Sequence, residues 1–344
     1  MDVALLRALS EAPGVSGREE AVRAVLRAYL EGHADEVATD PLGNLLVRKG
    51  RGPVRVLLDA HIDEVGFLVS GFTEDGLLRF KTVGGIDDRV VPGRAVWIGP
   101  NRVPGVIGLK AIHLTGGERD KAVPVRDLFI DIGARSRDEA ESVVDYGDPV
   151  VWATEFEEWG GAVVKGKALD DRAGCALLAE AVRDWSGGSR VTLLASFSAQ
   201  EEIGLRGARV AAERLKPHVA LALEATSCAD VPGVPPEESV TRFGQGPALS
   251  WLDGTNIVPE RLRAHLEALA SRAGIPLQHR RLATAGTDAG AIHLTGAGVP
   301  TAVMALPARY IHSAASLVHK SDYDHALALV RLFLDSLERG EFKP

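Results

Sequence analysis

Residues 54–61 read VRVLLDAH and run on into IDEVGF at 62–67. A short apolar run that closes on polar side chains is the pattern of a buried strand delivering chemistry at its C-terminal end. Three more runs have this form: RVTLLASF (190–197), VALALE (219–224) and TAVMAL (301–306). Each is followed or closed by acidic or imidazole groups, namely His61 and Asp63, Glu201 and Glu202, Glu224, and His312. In open α/β sheets ligands gather beyond the carboxyl ends of the strands, so these groups are expected to converge.

Outward from this stretch, the character changes at Val65. Up to Gly160, short β-branched runs such as GFLVS, RAVWIG, GVIGL and DLFIDIG alternate with Gly and Pro turns, and only 137–143 (RDEAESV) reads as helix. Before it, Ser16 and Glu19 have the S-x-x-E spacing of a capping box, followed by apolar residues at helical intervals. After Lys165, helix and strand alternation returns, with helices expected at 171–185, 259–272 and 321–338, the last capped by Ser321 with Asp324. Residues 289–308 carry no formal charge, yet five Gly and Pro residues punctuate them too heavily for a membrane span, and they read as loop, strand, loop. The simplest assembly is an α/β protein with a mixed sheet, formed by 1–64 and 161–344, into which a β-rich domain of residues 65–160 is inserted. The tetrapeptide HLTG at 113 and 293 is a chance recurrence, since nothing around the two copies matches.

Length and charge narrow the function. At 344 residues the chain suits roughly two domains. With 39 Lys and Arg against 47 Asp and Glu the net charge is −8, which repels a phosphate backbone and argues against a nucleic-acid partner. Two cysteines, Cys175 and Cys228, fit a reducing compartment, and the N-terminus lacks the pattern of a secretory signal, so a cytoplasmic protein is expected.

The strand-end groups, joined by Asp170 of KALDDR where a loop enters a helix, offer two imidazoles and several carboxylates without thiolates, a set suited to Zn, Co or Mn. Two ions sharing one carboxylate would take His61, Asp170 and Glu224 on one side and Asp170, Glu202 and His312 on the other. Asp63, two residues beyond His61, is placed to fix the imidazole tautomer. Of the adjacent Glu201 and Glu202, one can ligate while the other accepts a proton from water. Plainer readings compete: an Asp or Glu pair is most often a solvated face or helix cap, and a histidine is as often a hydrogen-bonded core residue as a ligand. The other eight histidines, and both cysteines, read as structural.

The motifs APGVSGREE, DAHIDEVGF, GKALDDRAG, AQEEIGLRGA, GTDAGAIH and PARYIHS follow one another as in the glutamyl and deblocking aminopeptidases, the family that includes the tetrahedral aminopeptidases, and the chain resembles that family over nearly its whole length. PGVIGLKAIHL and DLFIDIGA resemble its inserted domain. The resemblance implies a cytosolic metallopeptidase with two divalent ions per subunit that removes N-terminal residues from peptides with a free amino end. It further implies that the insert serves dimer contacts and assembly into a hollow twelve-subunit particle. It puts the ligands on His61, Asp170, Glu202, Glu224 and His312, the general base on Glu201, an active-site aspartate on Asp63, and substrate contacts on Asp288. The family most often has Asp where this chain has Glu224. Rival readings are a related carboxypeptidase or deacylase, a glycosidase (some members have been labelled endoglucanases), and a non-catalytic shell protein.

Overall fold

The structure, a computed structural model, describes residues 1–111, 113, 121–280 and 285–344. The first copy of HLTG and the end of PGVIGLKAIHL therefore lie partly outside the described residues.

The four apolar runs form the parallel centre of a large mixed sheet. Val191–Ser198, Val54–His61, Val219–Ser227 and Thr301–Arg309 lie side by side in that order. Antiparallel strands extend both edges, Leu45–Lys49 and Glu36–Thr39 on one side and Ser316–His319, Val163–Gly166 and Glu157–Trp159 on the other. The central strands are buried on both faces, which is why they read as continuous apolar runs. Alternate residues part between two cores: Val56, Leu58, Leu193 and Leu221 enter the larger one, while Leu57, Leu194 and Ala220 face the smaller. Helix Leu169–Asp184 lies against the first face with nearly every residue buried, its Ala, Gly and Cys side chains allowing close approach to the strands. Helix Arg206–Leu215 covers the opposite face with Ala208 and Ala212.

The β-rich insert closes on itself. Gly66–Phe72, Leu78–Val83, Phe129–Asp131, Val103–Gly108, Ala95–Ile98 and Pro149–Trp152 form a closed antiparallel barrel. Its core is separate, built around Phe67 with the rings of Phe80 and Trp152 set edge-on at 5.0 Å. Closure leaves these strands without a free edge. Glu157–Trp159, expected in the insert, pairs instead in the large sheet.

Local readings differ from the structure where a side chain has a distant partner. Ser16 caps no helix: helix Glu20–Leu30 starts after Glu19 without a side-chain cap, and the Ser16 hydroxyl donates to Asp63 Oδ2 at 2.6 Å. The last helix, Lys320–Glu338, is capped by His319, which accepts from the Ser321 amide, and not by Ser321. Strand Val219–Ser227 continues three residues past Glu224, and the expected loop after 289 contains the short helix Ala289–Ile292. Helix Leu169–Asp184 takes regular dihedrals only after Asp171, and a cis peptide joins Asp170 to Asp171.

Candidate metal centre

Strand register sets the heights of the site residues. Ser198 pairs with His61, so Glu201 and Glu202 follow just beyond the strand end. On the other side Val219 to Ala222 pair with Val56 to Asp59, an offset that brings Glu224 level with His61. Asp170, at the kinked entry to its helix, reaches between the two histidines: Oδ1 lies 3.4 Å from His61 Nε2 and Oδ2 lies 3.3 Å from His312 Nε2. Glu202 Oε1 is 3.2 Å from His312 Nε2, while Glu201 Oε2 and Glu224 Oε2 are 3.9 Å and 4.0 Å from His61 Nε2. Among the described residues three sets bring possible ligand atoms within 4.8 Å of one another: His61, Asp170 and Glu224; Asp170, Glu202 and His312; and His61, Glu201 and Glu202.

Both imidazoles are oriented from behind. His61 Nδ1 is 3.2 Å from the Asp63 carbonyl and 3.4 Å from its carboxylate, and His312 Nδ1 is 2.7 Å from the Gly85 carbonyl. Carbonyl acceptors place a proton on each Nδ1, so the Nε2 facing Asp170 is the nitrogen that would exchange its proton for a metal ion. Gly85 lies beyond barrel strand Leu78–Val83, so the insert holds one of the two histidines. Asp63 also accepts from the backbone amides of Glu201 (2.9 Å) and Glu202 (3.1 Å), besides the Ser16 hydroxyl. One buried carboxylate thus ties the glutamate pair to His61 and to the N-terminal loop.

Below it, Glu64 accepts from Lys167 Nζ at 2.6 and 2.9 Å, from Arg172 Nη2 at 3.2 Å and from the Gly14 amide at 3.0 Å. All three charged side chains are buried. Burial pushes the Lys167 ammonium down to about 8, although Glu64 opposes the shift.

The electrostatics favour a cation. Burial pushes Glu224 up to about 8 and raises Glu201 and Glu202 above the ordinary carboxylate range, with neighbouring carboxylates adding to each shift. Burial opposes charge on His312, yet hydrogen bonds to Asp170 and Glu202 and their charges lift it to about 11. Asp170 lies well below the usual range: hydrogen bonds to both imidazoles outweigh burial. So many carboxylates crowded around two imidazoles carry an excess of negative charge, which draws protons onto the rings and which divalent ions would relieve in their place.

Asp288 is placed differently from its neighbours. Gly286 and Thr287 line the cavity of about 510 Å³ in front of His61, Glu201, Glu202, Glu224 and His312. The Asp288 carboxylate is buried behind them, accepts from Ser198 Oγ at 2.6 Å, and its backbone amide donates to Glu224 Oε1 at 3.1 Å. A larger groove of about 1070 Å³ opens at the opposite strand ends beside Arg55, Lys216 and His218, but none of the clustered groups faces it. Sequence reasoning read Ser16 as a cap and passed over Glu64 and Arg280, the last a buried residue lining the cavity in front of the cluster. The APGVSGREE segment carried a signal for the first; for Arg280, on a short strand, there was none.

The fold and the clustered strand-end groups define an α/β protein with an inserted closed barrel. The chain belongs to the M42 glutamyl aminopeptidase family, which matches residues 43–329. The TET aminopeptidase of a marine-sediment archaeon of the Thaumarchaeota is 40% identical, with a TM-score of 0.94 over 99% of this chain and 98% of that one. The lysyl aminopeptidase of Pyrococcus furiosus is 32% identical over 354 residues, 100% of both chains. The TET1 peptidase of Pyrococcus horikoshii, which can assemble into a tetrahedron or a large octahedral shell, is 32% identical, with a TM-score of 0.86 over 96% of this chain and 98% of that one. Among the described residues no helix is long and apolar enough to cross a membrane.

Proposed function

We propose that this aminopeptidase works with two divalent ions, one held by His61, Asp170 and Glu224 and the other by Asp170, Glu202 and His312. The observation that carries the reading is Asp170, whose two carboxylate oxygens each face one imidazole Nε2 at 3.3–3.4 Å. The donor set of imidazole and carboxylate fits Zn, Co or Mn. When bound, such ions polarise a scissile carbonyl and acidify a water. Glu201 takes the proton of the attacking water on its carboxylate and passes it to the leaving amine. Its fixed backbone, held by Asp63, keeps that carboxylate at the cavity wall. Asp63 orients His61, and Asp288 orients Glu224 from behind through its amide.

The test is release of N-terminal residues from free and N-acetylated peptides by metal-stripped protein, before and after Zn or Co is added. Metal-restored cleavage of free-amine peptides alone supports the reading. Cleavage of acetylated peptides alone moves the chain to a deacylase or endopeptidase, and none with either metal points to a non-catalytic shell. Stripping should also lower thermal stability, because ligands that bind only the folded state add about 4 kcal/mol at 1,000 times their Kd. A melting temperature unmoved by chelation and by metal return would count against a resident metal.

Glu224→Asp should weaken metal binding roughly 10-fold, as loss of a supporting contact does. Shortening the side chain draws its oxygen away from the Asp288 amide that now holds it. Competition against a chelator measures the change, and unaltered affinity would make the longer residue inconsequential.

The domain reading, 1–64 with 161–344 as catalytic unit and 65–160 as dimerisation insert, and the twelve-subunit shell belong to the same proposal. Light scattering tests it, and a monomer at micromolar concentration would sink it. Both cysteines are buried free thiols, which supports a cytoplasmic protein.

A further inference from the structure

We propose that Arg280 selects substrates whose first residue carries an acidic side chain, an inference that rests on the aminopeptidase reading and assigns its specificity. The family's description names glutamyl peptides and the Pyrococcus furiosus relative is named for lysyl ones, so relatedness leaves the first residue open. The side chains of this cavity decide it.

Arg280 ends the short strand Gln278–Arg280, which pairs with Ala248–Ser250, and it lines the same cavity as His61, Glu201 and Glu224. It is 6% exposed. Among the described residues its Nε has no hydrogen-bond partner, and its one side-chain bond is a long one, Nη1 to Ser250 Oγ at 3.5 Å. Among the described residues no carboxylate lies within ion-pair distance of the guanidinium. The nearby acids are committed elsewhere. Asp253 accepts from the Thr255 and Asn256 amides and from the hydroxyls of Thr255 and Thr287. Glu224 accepts from the Asp288 amide and belongs to the metal-ligand set.

A buried guanidinium is costly unless it is paired, and its planar fork matches a carboxylate. The same cavity is lined by Thr226, Ser227, Thr255 and Thr287, whose hydroxyls can donate to a carboxylate, and by Leu205 and Ile311. Such a pocket suits the side chain of Asp or Glu. Leucine leaves the guanidinium unpaired, and lysine is worse because it brings a second cation to Arg280.

The experiment uses the full-length, metal-loaded protein and p-nitroanilides of Glu, Asp, Leu, Lys and Ala, which lack a C-terminal carboxylate. Wild type should prefer the acidic pair in kcat/KM. Arg280→Met should lose roughly 30- to 100-fold on those two, mostly through KM, and little on Ala. Arg280→Lys should retain an intermediate preference. Comparing a dipeptide with its amide shows whether a C-terminal carboxylate is the group held, a result that would overturn the proposal. So would a wild-type preference for Leu or Lys, or an equal loss on every substrate. Calorimetric binding of free glutamate against free leucine, with wild type and Arg280→Met, is independent of turnover. A glutamate preference that vanishes in the variant, in a protein that cleaves nothing, keeps the pocket and overturns the aminopeptidase reading instead; no glutamate preference in wild type overturns the pocket.

Discussion

Glu201→Gln is expected to keep its full complement of divalent metal and to lose turnover by about 10²–10⁴-fold, the usual contribution of a positioned general base. The amide has nearly the shape of the carboxylate but cannot take a proton from water. Metal content is the discriminating half of the measurement, because Glu201 lies with His61 and Glu202 in one of the three sets of possible ligands. If Glu201 ligates, elemental analysis of the variant will show fewer ions per subunit. If it acts as base, stoichiometry will hold while kcat falls. Undiminished turnover would remove Glu201 from the chemistry altogether. The surroundings favour a base: burial, with Glu224, Asp288 and Glu202 nearby, raises this carboxyl's proton affinity above that of a free glutamate, toward the range in which a base works near neutral pH.

Glu64→Gln is expected to destabilise the fold by about 3–5 kcal/mol, the cost of removing one partner from a buried ion cluster. Lys167 and Arg172 would keep their charges in a dry site with only neutral acceptors, the new amide oxygen and the backbone carbonyls of Leu9 and Ala12, as partners. Denaturant unfolding measures the loss, and a change below about 1 kcal/mol would show the cluster to be dispensable. Activity should fall as well. Glu64 also holds the Gly14 amide, and the loop it anchors carries Ser16, the hydroxyl that holds Asp63 beneath the two glutamates. A Lys167→Met variant removes one cation and leaves Glu64 paired with Arg172, so it should cost less; a larger loss than Glu64→Gln would contradict this account.

The four parallel strands were legible because strands buried on both faces must be apolar throughout, and the groups at their ends stood out against that background. His61, Glu201 and Glu202 could be placed beyond strand ends from the sequence alone, as could Asp170 at a helix entry. The closed barrel showed itself only as a region of short strands. Which of them pair is set by register and closure, and these depend on contacts between residues far apart in the chain. Edge strands such as Glu36–Thr39, half exposed, and Glu157–Trp159, exposed throughout, have no apolar run and gave no signal. Ser16 illustrates the limit most directly. Its spacing to Glu19 satisfies a local rule, but its hydroxyl goes to a carboxylate 47 residues away. Burial and partners, which no local pattern encodes, likewise put the Arg280 side chain at the cavity and the Asp288 carboxylate behind it. The sequence by itself therefore determined the residue types of the site and the strands that carry them. Only the tertiary structure decided which of those groups face one another, because side-chain chemistry is written at each position while proximity is produced by packing the sheet, its helices and the barrel together.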